Sequence, residues 1–243
     1  MALPIVNSSR YTAEIPSTGK SIEFRPFLVK EEKLLMVALE SNDTGLTMRT
    51  LKDIIKNCVF DDIDVNVLTT FDIEWLFLQL RSKSVGEVVD IKLPCSECDT
   101  PMEVKINLEK IKMDKTISKD DKVIMLTDDV GIEFNYPSVN MVEKIDQSLI
   151  VGEESPEKQM SMTIDIIIAS IKSIFDADNV YDSGDSTKEE LVKFVDQLNS
   201  AQFARIASFF SDLPALTHTV EFKCSSCGHD NEIELRGLQS FFT

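Results

Sequence analysis

The sequence is poor in positive charge, in histidine and in long apolar runs. Its 25 lysines and arginines face 42 aspartates and glutamates, which leaves a formal charge of −17. A field of that sign repels phosphate backbones and anionic lipid headgroups, so nucleic acid is not expected as the main partner. The most apolar stretches, such as "IDIIIASI" at 164–171, fall far short of the roughly 20 residues a membrane span needs. The opening "MALPIVNSSRYTAEI" lacks the basic and apolar regions of a signal peptide, so the expectation is a soluble chain in the cytoplasm with no membrane span. Histidine occurs only at His218 and His229, with no Ser-x-Gly elbow or metalloprotease helix to accompany it. "TGKS" at 18–21 ends like a phosphate-binding loop, but Glu14 stands where that motif needs its first glycine. Placing Gly184 at the sixth position of a calcium loop puts Tyr181 at a ligand position, which argues against calcium. Asp61 with Asp62, and Glu189 with Glu190, read as helix ends and loops rather than acid/base pairs. No catalytic constellation is left, so the expectation is a protein that is not an enzyme.

What the sequence does have is cysteine in an ordered pattern. "CSECDTP" starts at Cys95 and "CSSCGHD" at Cys224. In a reducing compartment a Cys-x-x-Cys pair points to a metal or redox pair before a structural disulfide. Each pair lies between two strand-like segments, "EVVDIKLP" and "MEVKINL" around the first, "HTVEFK" and "NEIELRGL" around the second. Each therefore reads as a hairpin with its cysteines at the tip, whereas a thioredoxin-type pair opens a helix. Gly228 follows the second pair and suits a left-handed residue that turns backbone N–H groups toward the sulfurs. Asp99 holds the matching place in the first pair, and Asp tolerates the same conformation. Cys95, Cys98, Cys224 and Cys227 together make a complete tetrahedral thiolate shell, so one structural zinc per chain is expected, with disulfides or idle thiols as the alternatives. Cys58, in "TLKDIIKNCVF", reads as a small buried hydrophobe, and His229 as a surface residue near the site.

The fold class expected is α+β in two similar halves. "YTAEIPSTGKSIEFRPFLVKEEKLL" and "KVIMLTDDVGIEFNYPSVNMVEKI" both read as a hairpin, a proline and a helix. Ile22 to Ile132 is an offset of 110 residues and Cys95 to Cys224 one of 129, so the second copy carries about 19 more. Acidic insertions "GEESPE" and "DADNVYDSGDSTKEE" account for them. Helical segments fill the middle of each half, including "FDIEWLFLQLRSKS" in the first and "EKQMSMTIDIIIASIKSIF", "STKEELVKFVDQLN" and "AQFARIASFFSDL" in the second. Phe71, Trp75, Leu76, Phe77 and Leu80 repeat at helical spacing and read as core before they read as a partner groove. Ser186 and Glu189 have capping-box spacing. The halves are residues 1–110 and 111–243, each ending in one zinc knuckle. An internal duplication packed about a pseudo-twofold axis would let one zinc fasten them together; chance likeness of two lobes is the alternative.

"IEFRPFLVKEEKLLMVA" (22–38) and "FDIEWLFLQLRSKSVGE" (71–87) resemble the baseplate hub family of T-even-like tailed phages. The resemblance implies a viral protein of tail morphogenesis, made in the host bacterial cytoplasm, with the virion baseplate as the further location open to it. It implies a hub component or hub-assembly chaperone, with other baseplate hub or tape-measure proteins as partners. It supplies no catalytic residues to carry over, and the zinc reading stands on this sequence alone. The competing function is a zinc-ribbon adaptor acting on nucleic acid or transcription. Such adaptors usually present a basic face, and the charges beside these tips are mixed.

Overall fold

A computed structural model describes residues 8–41, 43–115, 117, 120–141, 143 and 156–241. The chain forms two compact units, residues 1–116 with 214–243, and residues 117–213. Both mix helices with small antiparallel sheets, as an α+β class requires. The division differs from the sequence halves, because the second cysteine hairpin belongs to the same unit as the first.

The first unit starts with the expected hairpin, β1 (Tyr11–Glu14) and β2 (Ser21–Phe24), in register from Tyr11–Phe24 to Glu14–Ser21. "TGKS" is its turn and the start of β2. Three helices follow: α1 (Val29–Glu40), α2 (Thr44–Cys58) and α3 (Thr70–Ser84). Helix α1 is started by Glu31, whose carboxylate accepts from Leu28 N at 2.8 Å and from Arg25 Nη2 at 3.1 Å. Thr69 and Asp72 form a capping box on α3, and the second oxygen of Asp72 accepts from Ser17 N in the β1–β2 turn at 2.8 Å. Helix α3 is the spine of the unit. Phe71, Ile73, Leu76, Phe77, Leu78 and Leu80 are buried along it and Trp75 is half-buried, so these residues are core rather than a partner groove.

The first cysteine hairpin comes next, β3 (Val88–Pro94) and β4 (Pro101–Asn107), followed by the short β5 (Lys112–Met113). The chain then enters the second unit through β6 (Val123–Met125) and β7 (Gly131–Phe134), again the expected hairpin. Helix α4 (Pro156–Ser170) leads directly into β8 (Ile171–Phe175) and then β9 (Val180–Asp182), giving an antiparallel sheet ordered β6-β7-β8-β9. The expected helix through Phe175 therefore stops at Ser170. "IKSIF" alternates buried Ile171, exposed Lys172 and buried Ser173, which is the period of a strand. Part of the expected acidic loop is β9. Residues 152–155 of "GEESPE" lie outside the described residues. Helices α5 (Lys188–Asp196) and α6 (Ser200–Ser211) complete a core of Ile132, Phe134, Ile167, Ile168, Leu191 and Ile206. The capping box of α5 sits one residue later than expected, at Thr187 and Glu190. Ser186 is held instead by the turn before it, its N–H bonded to Ser183 O.

The chain then returns to the first unit as β10 (Leu216–Lys223) and β11 (Asp230–Arg236), the second cysteine hairpin. Strand β10 pairs with β5, giving the order β11-β10-β5. Asp114 ties this junction, its carboxylate accepting from Ala215 N and from Arg236. No helix of the described residues is long and apolar enough to cross a membrane.

Candidate metal centre

Each cysteine tip folds by the same local rule. Cys95 N donates to Thr100 O at 3.0 Å and Asp99 N to Cys95 O at 2.9 Å; Cys224 N donates to His229 O at 2.8 Å and Gly228 N to Cys224 O at 3.0 Å. The residue after each second cysteine is left-handed, with φ of 54° at Asp99 and 77° at Gly228. N–H groups of each tip point inward: Ser226 N lies 3.4 Å from Cys224 Sγ, and His229 N–H, directly after the left-handed Gly228, donates to Cys227. The sequence expectation for both positions holds.

The two tips face each other. Cys95 Sγ is 3.7 Å from Cys227 Sγ, and Cys98 Sγ is 3.7 Å from Cys224 Sγ. All four sulfurs lie within 4.8 Å of one another. A tetrahedron of thiolates with metal–sulfur bonds near 2.3 Å has edges of about 3.8 Å, so the cluster matches a closed four-sulfur site. A disulfide needs about 2.05 Å, and none is formed. Cys95 and Cys224 are buried, while Cys98 and Cys227 lie nearer the surface.

The thiols respond to this crowding. N–H donation from Glu97, opposed by burial and assisted by Cys98 N–H and the Asn231 amide, lowers Cys95 to about 6. Donation from the backbone N–H groups of Cys227 and Ser226 lowers Cys224 as well. At Cys227, donation from His229 N–H favours the thiolate but is outweighed by the sulfurs of Cys98, Cys224 and Cys95 together with burial, and the thiol is pushed up to about 12. Backbone dipoles thus invite negative charge that the sulfurs, left to themselves, cannot all carry. A divalent cation held among the four sulfurs would resolve the conflict.

Asn231, at the start of β11, links the two tips and was not legible in the sequence. It is 3% exposed. Its Oδ1 accepts from Ser96 N at 2.9 Å and Ser96 Oγ at 2.8 Å, while Nδ2 points to Cys95 Sγ at 3.5 Å and donates to His229 O at 3.2 Å. One buried amide therefore links both knuckles and would orient Cys95 as a metal ligand from outside the four-sulfur cluster. The only hint was a short polar residue directly after the tip.

Residues 8–243 match the T4 bacteriophage base plate protein family. The chain belongs to that family. No curated protein and no solved structure matches it. The match bears out the resemblance at the level of a T4-like baseplate protein, and its partners are accordingly sought among baseplate proteins.

The other chemical candidates in this baseplate protein have structural employment. Cys58 is fully buried outside the cluster, and burial pushes its thiol up to about 11, the behaviour of an inert core residue. Neither histidine side chain joins the four sulfurs; burial, then the charge of Lys110, lowers His218. Asp61 accepts from Glu23 N at 2.6 Å, and Glu190 caps α5. In the acidic stretch, Asp176 accepts from Asp178 N, Asn179 N and Tyr181 OH, so its carboxylate closes its own turn.

Proposed function

We propose that this baseplate protein is a non-enzymatic hub component or hub-assembly chaperone, acting in tail morphogenesis by protein–protein contact. The family match over residues 8–243 carries the reading. The −17 charge supports it, because an acidic carrier stays soluble beside an aggregation-prone client. Its partners would be a central hub or tape-measure protein, met in the host bacterial cytoplasm before the baseplate is complete. Co-expression with each hub and tape-measure protein of the same phage is the test. The chain should raise the soluble yield of one of them and elute with it. Unchanged yield and elution, together with complete tails in particles made without this chain, would refute the reading.

The same proposal assigns one structural zinc to Cys95, Cys98, Cys224 and Cys227. Four protein ligands leave no position for water, so the ion would supply a cross-link and no reactivity. This chain's own contribution is the pair of left-handed turns, the inward N–H groups and the Asn231 bridge. The matching backbone of the two knuckles also supports an ancestral duplication of halves 1–110 and 111–243, in which the second hairpin came to pack beside the first.

A further inference from the structure

Helix α1 is apolar on the wrong side. Its buried residues are Glu31, Leu35 and Ala38, whereas Val29, Leu34, Met36, Val37 and Leu39 are 50–64% exposed. A helix that covers only the core should show charge to water, so an outward face of this composition signals a missing partner. Val29, Lys33, Met36 and Glu40 follow one another at steps of four, three and four residues, forming a seam along the outermost line of the helix. Val37 flanks this seam on one side. The charges on the seam are ordered, with Lys33 toward the middle and Glu40 in the last turn, both exposed.

We infer that α1 is the contact helix of a homodimer, packing antiparallel against α1 of a second copy. The charge order is what selects a copy as the occupant. If a twofold axis passes between Met36 and Val37, Met36 of each copy faces Val37 of the other, and Lys33 of each copy faces Glu40 of the other. The interface is then self-complementary, as an isologous contact must be. Parallel pairing would bring Lys33 to Lys33 and Glu40 to Glu40 and is disfavoured. The net charge of each copy opposes association weakly, because at physiological salt the screening length is about 8 Å and contact pairs outweigh distant charges. Helix α1 is about 18 Å long, so a contact confined to it falls below about 1,200 Å² in total and is weak and reversible. The dimer requires neither zinc nor another phage protein, so it can fail while the hub proposal stands.

Sedimentation equilibrium of the full chain, carried from micromolar to millimolar concentration, tests it. The wild type should pass from monomer to dimer, and Val37→Glu should remain monomeric with an unchanged helical circular dichroism spectrum. Lys33→Glu should weaken the dimer about tenfold by setting two acidic pairs face to face, and Lys33→Glu with Glu40→Lys should restore it. A monomer at every concentration overturns the inference and leaves the face to a different protein. A dimer indifferent to Val37→Glu, or one that the second charge reversal fails to restore, overturns it equally.

Discussion

Stripping the proposed zinc from the reduced protein should destabilise one compact unit and spare the other. All four sulfurs belong to the unit formed by residues 1–116 and 214–243, and residues 117–213 contribute none. Cys98 and Cys224 are separated by 126 positions, and closing a loop of that length removes entropy from the unfolded chain worth about 5 kcal/mol. The value is an upper bound where the apo chain keeps residual structure, and the β5–β10 pairing remains without metal. For a protein of this size each kcal/mol moves a melting temperature by about 2–4 °C, so a shift on the order of 10–20 °C is expected. Differential scanning calorimetry, with and without a strong zinc chelator and a thiol reductant, should show two transitions, of which chelation lowers only one. Cys227→Ser should lower the same transition without chelator, and metal analysis of the untreated protein should give close to one equivalent of zinc. The reasoning fails if the untreated protein carries no metal and all four thiols titrate freely. It also fails if chelation moves both transitions together, because the cross-link would then not be confined to the first unit.

Asn231→Ala removes the acceptor of two Ser96 bonds and the amide beside Cys95 Sγ. Leaving those groups unpaired should cost about 1–3 kcal/mol and weaken zinc about 10- to 100-fold in a chelator competition, with stoichiometry still one. Gly131→Ala should lower only the transition of the second unit, by about 1–3 kcal/mol, because a Cβ there would stand 2.3 Å from Phe175 Cζ. Phe175→Leu in the Gly131→Ala background should recover part of the loss, and no change from Gly131→Ala alone would show that the ring is free to move.

The knuckles were legible because their instructions are local. Two cysteines, the residue after them and the flanking alternation lie within a dozen positions, and the left-handed turns at Asp99 and Gly228 follow from those residues alone. The β1–β2 and β6–β7 hairpins were legible for the same reason, as was the core stripe of α3. Errors arose where two local rules compete over a few residues. In "IDIIIASIKSIF" the apolar run suits helix or strand, and pairing of β8 with β7 and β9 decides it from Ile171 onward. At Ser186 and Thr187 either hydroxyl could cap a helix, and the preceding turn takes the first.

By itself, the sequence determined the chemistry of the site and the family: four thiols on two hairpin tips, and a chain whose residues match baseplate proteins from end to end of the described fold. Only the tertiary structure decided that both tips belong to one unit, with residues 117–213 folded as an excursion between β5 and β10. It also decided that Asn231 is the bridge and that the apolar side of α1 faces water. The physical reason is range. A turn or a cap is settled by atoms a few residues apart, whereas the neighbour that buries a strand, a sulfur or a helix face is chosen by burial over more than 100 residues of chain.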